Sequence, residues 1–135
     1  MYTENNSANR PVIMLVDDEA DLVEVLGDAL SLSIPNHEII TTSSFDEAWG
    51  LLDLLKTNRR QLSLLVVDEE IGDRSGLEVL KESRRGFPKC ARLVYTGRAK
   101  KSIVDEAESN GAKVLWKPLR LDRLVSEIQD MLSFA

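Results

Sequence analysis

Apolar and polar residues follow two recurring patterns along this chain. Short, continuous apolar runs of strand length occur five times, and stretches with apolar residues three and four positions apart follow them. The first pattern predicts a strand buried on both faces, and the second predicts an amphipathic helix. The predicted strands are VIMLV (12–16), HEIITT (37–42), LSLLVV (62–67), RLVYT (92–96) and KVLW (113–116).

The predicted helices have apolar faces and recognisable ends. Segments 44–47 and 75–78 both match the capping box that opens a helix. The segment 86–88 closes the third helix, and Asn110-Gly111 suits the left-handed end of the fourth. The predicted apolar faces are Leu22, Val25, Leu26, Ala29 and Leu30 in the first helix, Phe45, Ala48, Trp49, Leu52 and Leu55 in the second, and Leu121, Leu124, Val125, Ile128 and Leu132 in the fifth.

Five strand–helix units predict an α/β fold. Parallel strands need crossover connections, and the helices of those crossovers cover both faces of the sheet. We therefore expect a doubly wound domain with a five-stranded parallel sheet and five helices. In this architecture, ligands bind outside the carboxyl ends of the strands.

The length and composition fit one domain. A chain of 135 residues with 43% hydrophobic residues can fill a single core without disulfides or a structural metal. The first ten residues are mostly polar, so we predict a flexible N-terminal leader at 1–10 and the folded domain at 11–135.

The charge balance argues against direct binding to nucleic acid or to a membrane. Seventeen basic and twenty-three acidic residues give a formal net charge of −6, which disfavours broad contact with phosphate backbones or anionic lipids. One basic cluster is interrupted by Gly86 and Pro88 and is interpreted as a solvated helix end; it consists of Arg84, Arg85, Lys89 and Arg92.

The single cysteine and the length of the apolar runs indicate the cellular compartment of the protein. Cys90 cannot form an internal disulfide and has no metal-binding pattern around it, which suits a reducing compartment. We find no signal peptide, and no apolar run approaches the length of a membrane span. The expectation is a cytoplasmic protein. The lone His37 starts the second strand, away from the acidic residues, and receives no catalytic role.

Polar residues of the types that bind metals or take part in catalysis follow four of the five predicted strands. Because the carboxyl ends of parallel strands share one edge, we expect these side chains to meet. Massed carboxylates repel one another unless a divalent cation joins them, and a set of oxygen ligands favours Mg²⁺. The residues are Asp17, Asp18 and Glu19 after the first strand, Asp68, Glu69 and Glu70 after the third, Thr96 and Gly97 at the end of the fourth, and Lys117 and Pro118 after the fifth.

This combination of residues indicates phosphoryl transfer. A lysine and a threonine beside a metal ion supply the charge and the hydrogen bond that phosphoryl oxygens need. No glycine-rich P-loop is present, which excludes P-loop kinases and GTPases. A carboxylate can act as the nucleophile instead and become an aspartyl phosphate. Asp68, at the end of the central strand, is the best-placed candidate.

Four segments, in this order and spacing, resemble the receiver domain of two-component response regulators. They are LVDDE (15–19), VVDEEIGDRSGLEVL (66–80), YTG (95–97) and WKPL (116–119), and the resemblance covers residues 11–133. It implies a flavodoxin-like sheet with strand order 2-1-3-4-5. It also implies a switch that is phosphorylated by a histidine kinase or phosphotransfer protein in a Mg²⁺-dependent reaction.

The resemblance assigns the phosphoacceptor and the metal ligands. Asp68 becomes the phosphoacceptor, since Gly76 follows it at the family's interval. Asp18 becomes the direct Mg²⁺ ligand and Asp17 a ligand through water. Asp68 itself and the backbone carbonyl of Glu70 complete the protein's share.

The remaining roles follow in the same way. Thr96 corresponds to the switch hydroxyl that moves to meet the phosphoryl group, and Lys117 to the lysine that pairs with it. The bond between Lys117 and Pro118 is expected to be cis, as it is in the family. Glu19 is interpreted as a first-turn acid of the first helix and not as a ligand.

The chain departs from the family at two positions. Val114 stands where many receivers have a Tyr or Phe that swings inward, and Trp116 on the same strand face is a candidate for part of that output role. An ordinary packing tryptophan is the alternative. Gly72 replaces a frequent proline, from which we hypothesise a more mobile loop over the site before phosphorylation.

Two charged residues flank the expected path of the attacking water. Glu70 and Arg98 lie two residues after Asp68 and Thr96, respectively. We hypothesise that they form an ion pair that slows hydrolysis of the phosphoryl group. The alternative is two solvated side chains with little mutual effect.

These expectations amount to a signalling switch and not an enzyme, apart from self-phosphorylation and autodephosphorylation. Its output would be a binding change, with possible homodimerisation, at the face of the fourth helix, fifth strand and fifth helix. One alternative is a receiver-like interaction module that works without phosphorylation; another is a metal-dependent phosphatase, for which the chain lacks a separate substrate domain. The cognate kinase, the downstream target and any fused output domain stay open.

Overall fold

The computed structural model describes residues 10–133 and contains twelve regular elements in that range. Strands and helices alternate as the apolar pattern predicts. The strands are β1 (Val12–Val16), β2 (Glu38–Thr42), β3 (Leu62–Val67), β4 (Glu70–Ile71), β5 (Arg74–Ser75), β6 (Ala91–Thr96) and β7 (Ala112–Trp116). The helices are α1 (Ala20–Ser33), α2 (Phe45–Thr57), α3 (Gly76–Gly86), α4 (Lys101–Ser109) and α5 (Leu121–Ser133).

Five strands form one parallel sheet in the order β2-β1-β3-β6-β7. This arrangement confirms the predicted strand order, in which β6 and β7 are the fourth and fifth long strands. The short strands β4 and β5 form a separate antiparallel pair that the sequence did not predict, since two-residue strands leave no apolar pattern. The order of the strands changes direction between β1 and β3. In sheets of this kind, ligands bind in the crevice beyond the carboxyl ends of the two strands.

Helices cover both faces of the sheet, and each face has its own apolar core. Helices α2, α3 and α4 pack on one face, around Met14, Leu65 and Val94. Helices α1 and α5 pack on the other, around Ile13, Leu64 and Leu93. Because neighbouring strand residues point to opposite faces, the continuous apolar runs of β1, β3 and β6 feed both cores.

The buried faces of the helices differ in part from the predicted ones. Val25 is 50% exposed, and Trp49 and Leu121 are 36% and 39% exposed. In α1, a face rotated from the predicted one is buried, because that face meets β2; it consists of Val23, Leu26, Gly27 and Leu30. Valines at both 23 and 25 leave the choice of face open in the sequence, and contact with the sheet decides it.

Of the two predicted capping boxes, the first is half formed and the second is replaced by a different cap. The Ser44 hydroxyl accepts a hydrogen bond from the Glu47 amide (3.2 Å), as expected. The reciprocal bond, from the Ser44 amide to the Glu47 carboxylate, is missing because the Thr42 hydroxyl, at the end of β2, bonds to both of these groups. Its hydroxyl donates to the Glu47 carboxylate, and its oxygen accepts from the Ser44 amide (3.2 Å). Ser75 caps α3 by accepting from the Leu77 amide (3.2 Å) and not from the Glu78 amide that the predicted box requires.

The interpretation of the basic cluster was wrong for Arg92. This residue lies in β6 and is 5% exposed. Its Nε donates to Ser83 Oγ (3.2 Å) and its Nη2 to the Phe87 carbonyl (3.0 Å). Residue 92 lies in a strand whose two faces are both covered by helices. Arg84 and Arg85 in the last turn of α3, and Lys89 just after that helix, are exposed, as predicted.

Arg10 is the part of the predicted leader that the structure describes. Residues 1–9 of that leader lie outside the described residues, as do residues 134–135. Arg10, the last leader residue, donates to the carbonyls of Pro35 (3.3 Å) and His37 (3.4 Å), so it is fixed to the segment before β2. None of the helices within 10–133 is both long enough and apolar enough to cross a membrane.

Candidate functional site

Two aspartates follow β1, and their side chains have different surroundings. Asp17 is 5% exposed; its Oδ1 accepts from the Glu19 amide (2.9 Å) and its Oδ2 from Lys117 Nζ (2.8 Å). Asp18 is exposed, and its Oδ2 accepts from the Gly72 amide (2.9 Å). Burial raises the pKa of Asp17, and the Lys117 ammonium partly offsets that rise. β1 therefore delivers one buried and one open carboxylate to the same edge.

Asp68 directly follows the central strand β3 and is 9% exposed. Its Oδ2 accepts from Lys117 Nζ (2.9 Å), and its Oδ1 accepts from the Glu70 amide (3.4 Å). Gly76 begins α3 directly against it: a Cβ on residue 76 would lie 1.8 Å from the Asp68 carbonyl oxygen. Only a glycine permits this approach, so the structure gives a physical reason for the interval between Asp68 and Gly76.

The Lys117 ammonium joins three carboxylates. Its Nζ lies 2.8 Å from Asp17 Oδ2, 2.9 Å from Asp68 Oδ2 and 2.6 Å from Glu19 Oε1. Burial lowers the pKa of Lys117, but hydrogen bonds to these carboxylates outweigh burial and raise the pKa above its ordinary value. The side chain is therefore a permanent cation among the acids. The Lys117-Pro118 bond is cis, as the resemblance implied.

The Thr96 hydroxyl is engaged by its own loop. Thr96 ends β6 and is 2% exposed. Its Oγ1 donates to the Arg98 carbonyl (3.1 Å) and accepts from the Arg98 amide (3.3 Å). It borders a cavity of about 490 Å³ at the carboxyl edge of the sheet, which is lined by Asp18, Glu19, Asp68, Glu70, Gly72, Thr96, Gly97, Arg98 and Lys117.

Three aspartates form a group that fits a divalent cation. Asp17, Asp18 and Asp68 each offer one carboxylate oxygen, and these oxygens lie within 4.8 Å of one another. A hard cation such as Mg²⁺ prefers oxygen ligands and is usually bound by one or two carboxylates, waters and phosphate oxygens. The donor set therefore suits Mg²⁺, and two segments far apart in sequence supply it.

The loop after Asp68 is a small hairpin tied to Asp18. β4 pairs with β5 through Glu70 opposite Ser75 and Ile71 opposite Arg74. Gly72 at the turn has φ 62°, a left-handed conformation that glycine adopts without strain. Its amide donates to Asp18, which joins the hairpin to the acidic group. The hypothesis of a more mobile loop stays a prediction.

Glu70 and Arg98 both line the cavity, but they are not paired. The salt bridges found among residues 10–133 do not include a Glu70–Arg98 pair, so the hypothesised ion pair is not formed in this structure. Glu69, which precedes Glu70, is partly buried; burial and the nearby charges of Glu70 and Asp68 raise its pKa. An effect of Glu70 or Arg98 on hydrolysis stays a prediction.

Val114 and Trp116 lie on the same face of β7, as the strand alternation predicts. Val114 is opposite Val94 and packs against the core that α2, α3 and α4 cover. Trp116 is opposite Thr96 and is 47% exposed. The tryptophan is therefore a surface side chain next to the site and not a core residue. Its role in output stays a prediction.

Two contacts near Lys117 escaped the sequence analysis. Glu19, interpreted as a first-turn helix acid, precedes α1 and directs its carboxylate to Lys117. Tyr95 is 4% exposed; its hydroxyl accepts from the Leu119 amide (2.9 Å), and its ring centre lies 5.6 Å from Lys117 Nζ. Glu19 and Tyr95 are both adjacent in sequence to motif residues. Only the fold shows that their side chains lie beside Lys117.

A family model, described as the response regulator receiver domain, matches residues 13–129. The chain belongs to the response regulator receiver family. Receiver domains are signalling switches and not classical enzymes, and they bind Mg²⁺ at an acidic pocket. They act with histidine kinase or phosphotransfer partners and with a fused or downstream effector. Membership supports a phosphorylation-activated signalling role for this chain.

One relative is a transcriptional regulator. The chain is 27% identical over 125 residues to the hydrogenase transcriptional regulatory protein HoxA of Cupriavidus necator; the match covers 91% of this chain but only 24% of that protein. This receiver chain thus spans about a quarter of that relative's length.

Solved structures show the same fold. A response regulator from Thermotoga maritima superposes with a TM-score of 0.73 at 25% identity and covers 92% of this chain and 98% of its own. A CheY-like receiver domain from Methanospirillum hungatei has a TM-score of 0.81 at 19% identity and covers 93% and 96%.

Proposed function

We propose that this receiver domain is a switch in which Asp68 accepts a phosphoryl group from a histidine kinase or phosphotransfer protein, in a Mg²⁺-dependent reaction. The observation that carries the proposal is the bridge of Lys117 Nζ between Asp68 Oδ2 (2.9 Å) and Asp17 Oδ2 (2.8 Å). It brings the ends of β1, β3 and β7 together at one point. A cytoplasmic location suits such donors and the single cysteine.

In this proposal, four groups hold the metal. Asp18 and Asp68 would bind Mg²⁺ directly, Asp17 through a water molecule, and Glu70 through its backbone carbonyl. The oxygens of the three aspartates lie close enough for this arrangement. Bound Mg²⁺ supplies positive charge to the phosphoryl oxygens during transfer.

The protein's own groups carry the remaining steps. A carboxylate oxygen of Asp68 attacks the phosphorus, the new O–P bond forms, and the donor's leaving group departs with the electron pair of the broken bond. Lys117 pairs with one phosphoryl oxygen. The Thr96 hydroxyl exchanges its bond to the Arg98 carbonyl for another phosphoryl oxygen, and this movement reports phosphorylation.

The output would be a changed binding surface at α4, β7 and α5. Thr96 and Trp116 are register partners on neighbouring strands, so a shift of Thr96 acts directly on β7. We propose that Trp116 and Val114 belong to the surface that an effector, a fused output domain or a second copy of the chain recognises. Trp116 is 47% exposed, which makes it available for such contact.

Incubation with Mg²⁺ and acetyl phosphate, followed by intact-mass measurement, tests the phosphoacceptor. The wild-type protein should gain one phosphoryl group and lose it again with time. Asp68→Asn should gain none, and an excess of EDTA should prevent the gain. Asp73→Asn is a matched control, since Asp73 is an exposed acid of the hairpin turn that directly follows Gly72 of the cavity lining.

The same experiment separates the switch from the interaction module that works without phosphorylation. No mass gain in the wild-type protein, with Mg²⁺ and a range of phosphodonors, would support the module. A gain that persists in Asp68→Asn would place the phosphoryl group on another residue and end the assignment of Asp68.

Glu70 and Arg98 are proposed as modulators of phosphoryl lifetime. Both side chains line the cavity beside Asp68 and Thr96. If they hinder the attacking water, Glu70→Ala and Arg98→Ala should shorten the lifetime of the phosphorylated protein. Unchanged lifetimes in both variants would mean that the two side chains are solvated and do not affect hydrolysis.

A further inference from the structure

The ammonium of Lys117 has no spare donor in this structure. Its three N–H groups match three carboxylate acceptors, on Asp17, Asp68 and Glu19. An aspartyl phosphate on Asp68 places new phosphoryl oxygens beside this ammonium, and Lys117 can serve one of them only by giving up an existing bond.

The three acceptors differ in how easily they can be exchanged. The Asp17 and Asp68 side chains are 7% and 12% exposed, whereas that of Glu19 is 62% exposed. A carboxylate that leaves the ammonium must be solvated, and water can reach Glu19 without moving other groups. Glu19 is also the N-cap residue of α1, but its side chain makes no capping hydrogen bond.

We propose that Glu19 is a positioning residue that competes with the phosphoryl group for Lys117. This inference rests on the proposed function of Asp68. Attack on phosphorus by one Asp68 oxygen leaves the other as an uncharged carbonyl oxygen, which can keep its bond to Lys117. Asp17 also stays bound, and a phosphoryl oxygen replaces Glu19 on the ammonium. Glu19 therefore holds the lysine in place before transfer and opposes its engagement with the phosphoryl group.

The kinetics of phosphorylation test this competition. Glu19→Gln, at a subsaturating concentration of acetyl phosphate with Mg²⁺, should be phosphorylated about two- to fivefold faster than the wild-type protein, the range that corresponds to a partly exposed ion pair. An equal or slower rate overturns the proposal. Intact-mass time courses give the rates.

A charge control separates the contact from general electrostatics. Removing any nearby negative charge reduces the repulsion of an anionic phosphodonor and can raise the rate by itself. Asp73→Asn makes the same change of charge in the hairpin turn, and Asp73 is not among the partners of Lys117. Its rate should stay within about twofold of the wild-type rate and below that of Glu19→Gln. An equal gain in both variants assigns the effect to charge and overturns the proposal.

A measurement without Mg²⁺ or phosphodonor examines the contact itself. In EDTA, the ¹⁵Nζ signal of Lys117 in selectively labelled protein should exchange with water faster in Glu19→Gln than in wild type, because one of its three hydrogen bonds is weakened. Identical exchange in both proteins overturns the proposal. If the wild-type protein is never phosphorylated, the proposed function fails, whereas phosphorylation that is indifferent to Glu19 removes only this inference.

Discussion

A Cβ atom on residue 76 would lie 1.8 Å from the carbonyl oxygen of Asp68. Such a distance is far inside van der Waals contact, and the neighbouring atom belongs to the backbone of the proposed phosphoacceptor. Gly76→Ala should therefore push α3 away from β3 and lower the free energy of unfolding by about 3 kcal/mol, through overpacking. Urea denaturation followed by far-ultraviolet circular dichroism measures the loss.

Gly50→Ala is the matched control for this substitution. Gly50 lies inside α2, and nothing is within 4 Å of the position of a new Cβ. Alanine should stabilise the helix there by about 0.5–1 kcal/mol. A loss below about 1 kcal/mol in Gly76→Ala would contradict the packing argument.

Mg²⁺ should stabilise the folded protein through the three aspartates. Unfolding separates Asp17 and Asp18 from Asp68, so the ion binds the native state more strongly. At ten times the dissociation constant, binding adds about 1.4 kcal/mol and raises Tm by about 5 °C. Asp18→Asn should lose this increase, which differential scanning calorimetry with and without Mg²⁺ detects.

Asp21→Asn is the control for net charge, because Asp21 is an exposed acid in the first turn of α1. It should keep the Mg²⁺ response. A full response in Asp18→Asn would exclude Asp18 as a main ligand.

Arg92 should contribute to stability although the sequence suggested a surface residue. Its guanidinium is buried and bonds Ser83 Oγ and the Phe87 carbonyl. Arg92→Ala removes both bonds and leaves a cavity, so the free energy of unfolding should fall by about 2–4 kcal/mol. Arg85→Ala, at an exposed position with one ion pair to Glu82, should change it by less than about 1 kcal/mol. Equal effects in chemical denaturation would contradict the burial of Arg92.

Tyr95 should anchor the start of the segment that leads into α5. Tyr95→Phe removes the acceptor of the Leu119 amide and keeps the buried ring. A loss of about 1 kcal/mol is expected, together with faster hydrogen exchange at Leu119. Amides in the centre of β3 should exchange as slowly as in the wild-type protein at the same pH. An unchanged Leu119 rate would show that the hydroxyl is not its main partner.

The Cys90 thiol should be unreactive in the folded protein. Burial is the main cause that raises its pKa to about 12, and the residue is 4% exposed. Thiolate is the reactive form, so at pH 8 the native protein should react with Ellman's reagent at least about a hundredfold more slowly than the urea-unfolded chain. Reaction through the folded thiol should accelerate as pH rises toward 12. A native rate equal to the unfolded rate would contradict this environment.

The sequence by itself determined the five long strands, their order of appearance and the side chains at their carboxyl ends. A strand buried on both faces needs a continuous apolar run, so 12–16, 62–67 and 92–96 were recognisable. The receiver motifs also identified the residues that the structure gathers around Lys117 and Asp68. These features are local or periodic, and a single sequence records them.

Only the tertiary structure decided which neighbours those residues meet. Lys117 and Glu19 are separated by 98 positions, and Gly72 and Asp18 by 54, yet both pairs are hydrogen-bonded. The burial of Arg92 against α3 and the buried face of α1 were also settled by packing between the sheet and its helices. Such contacts depend on strand order and on the rotamers that neighbouring side chains allow, and no local pattern of residue types specifies either.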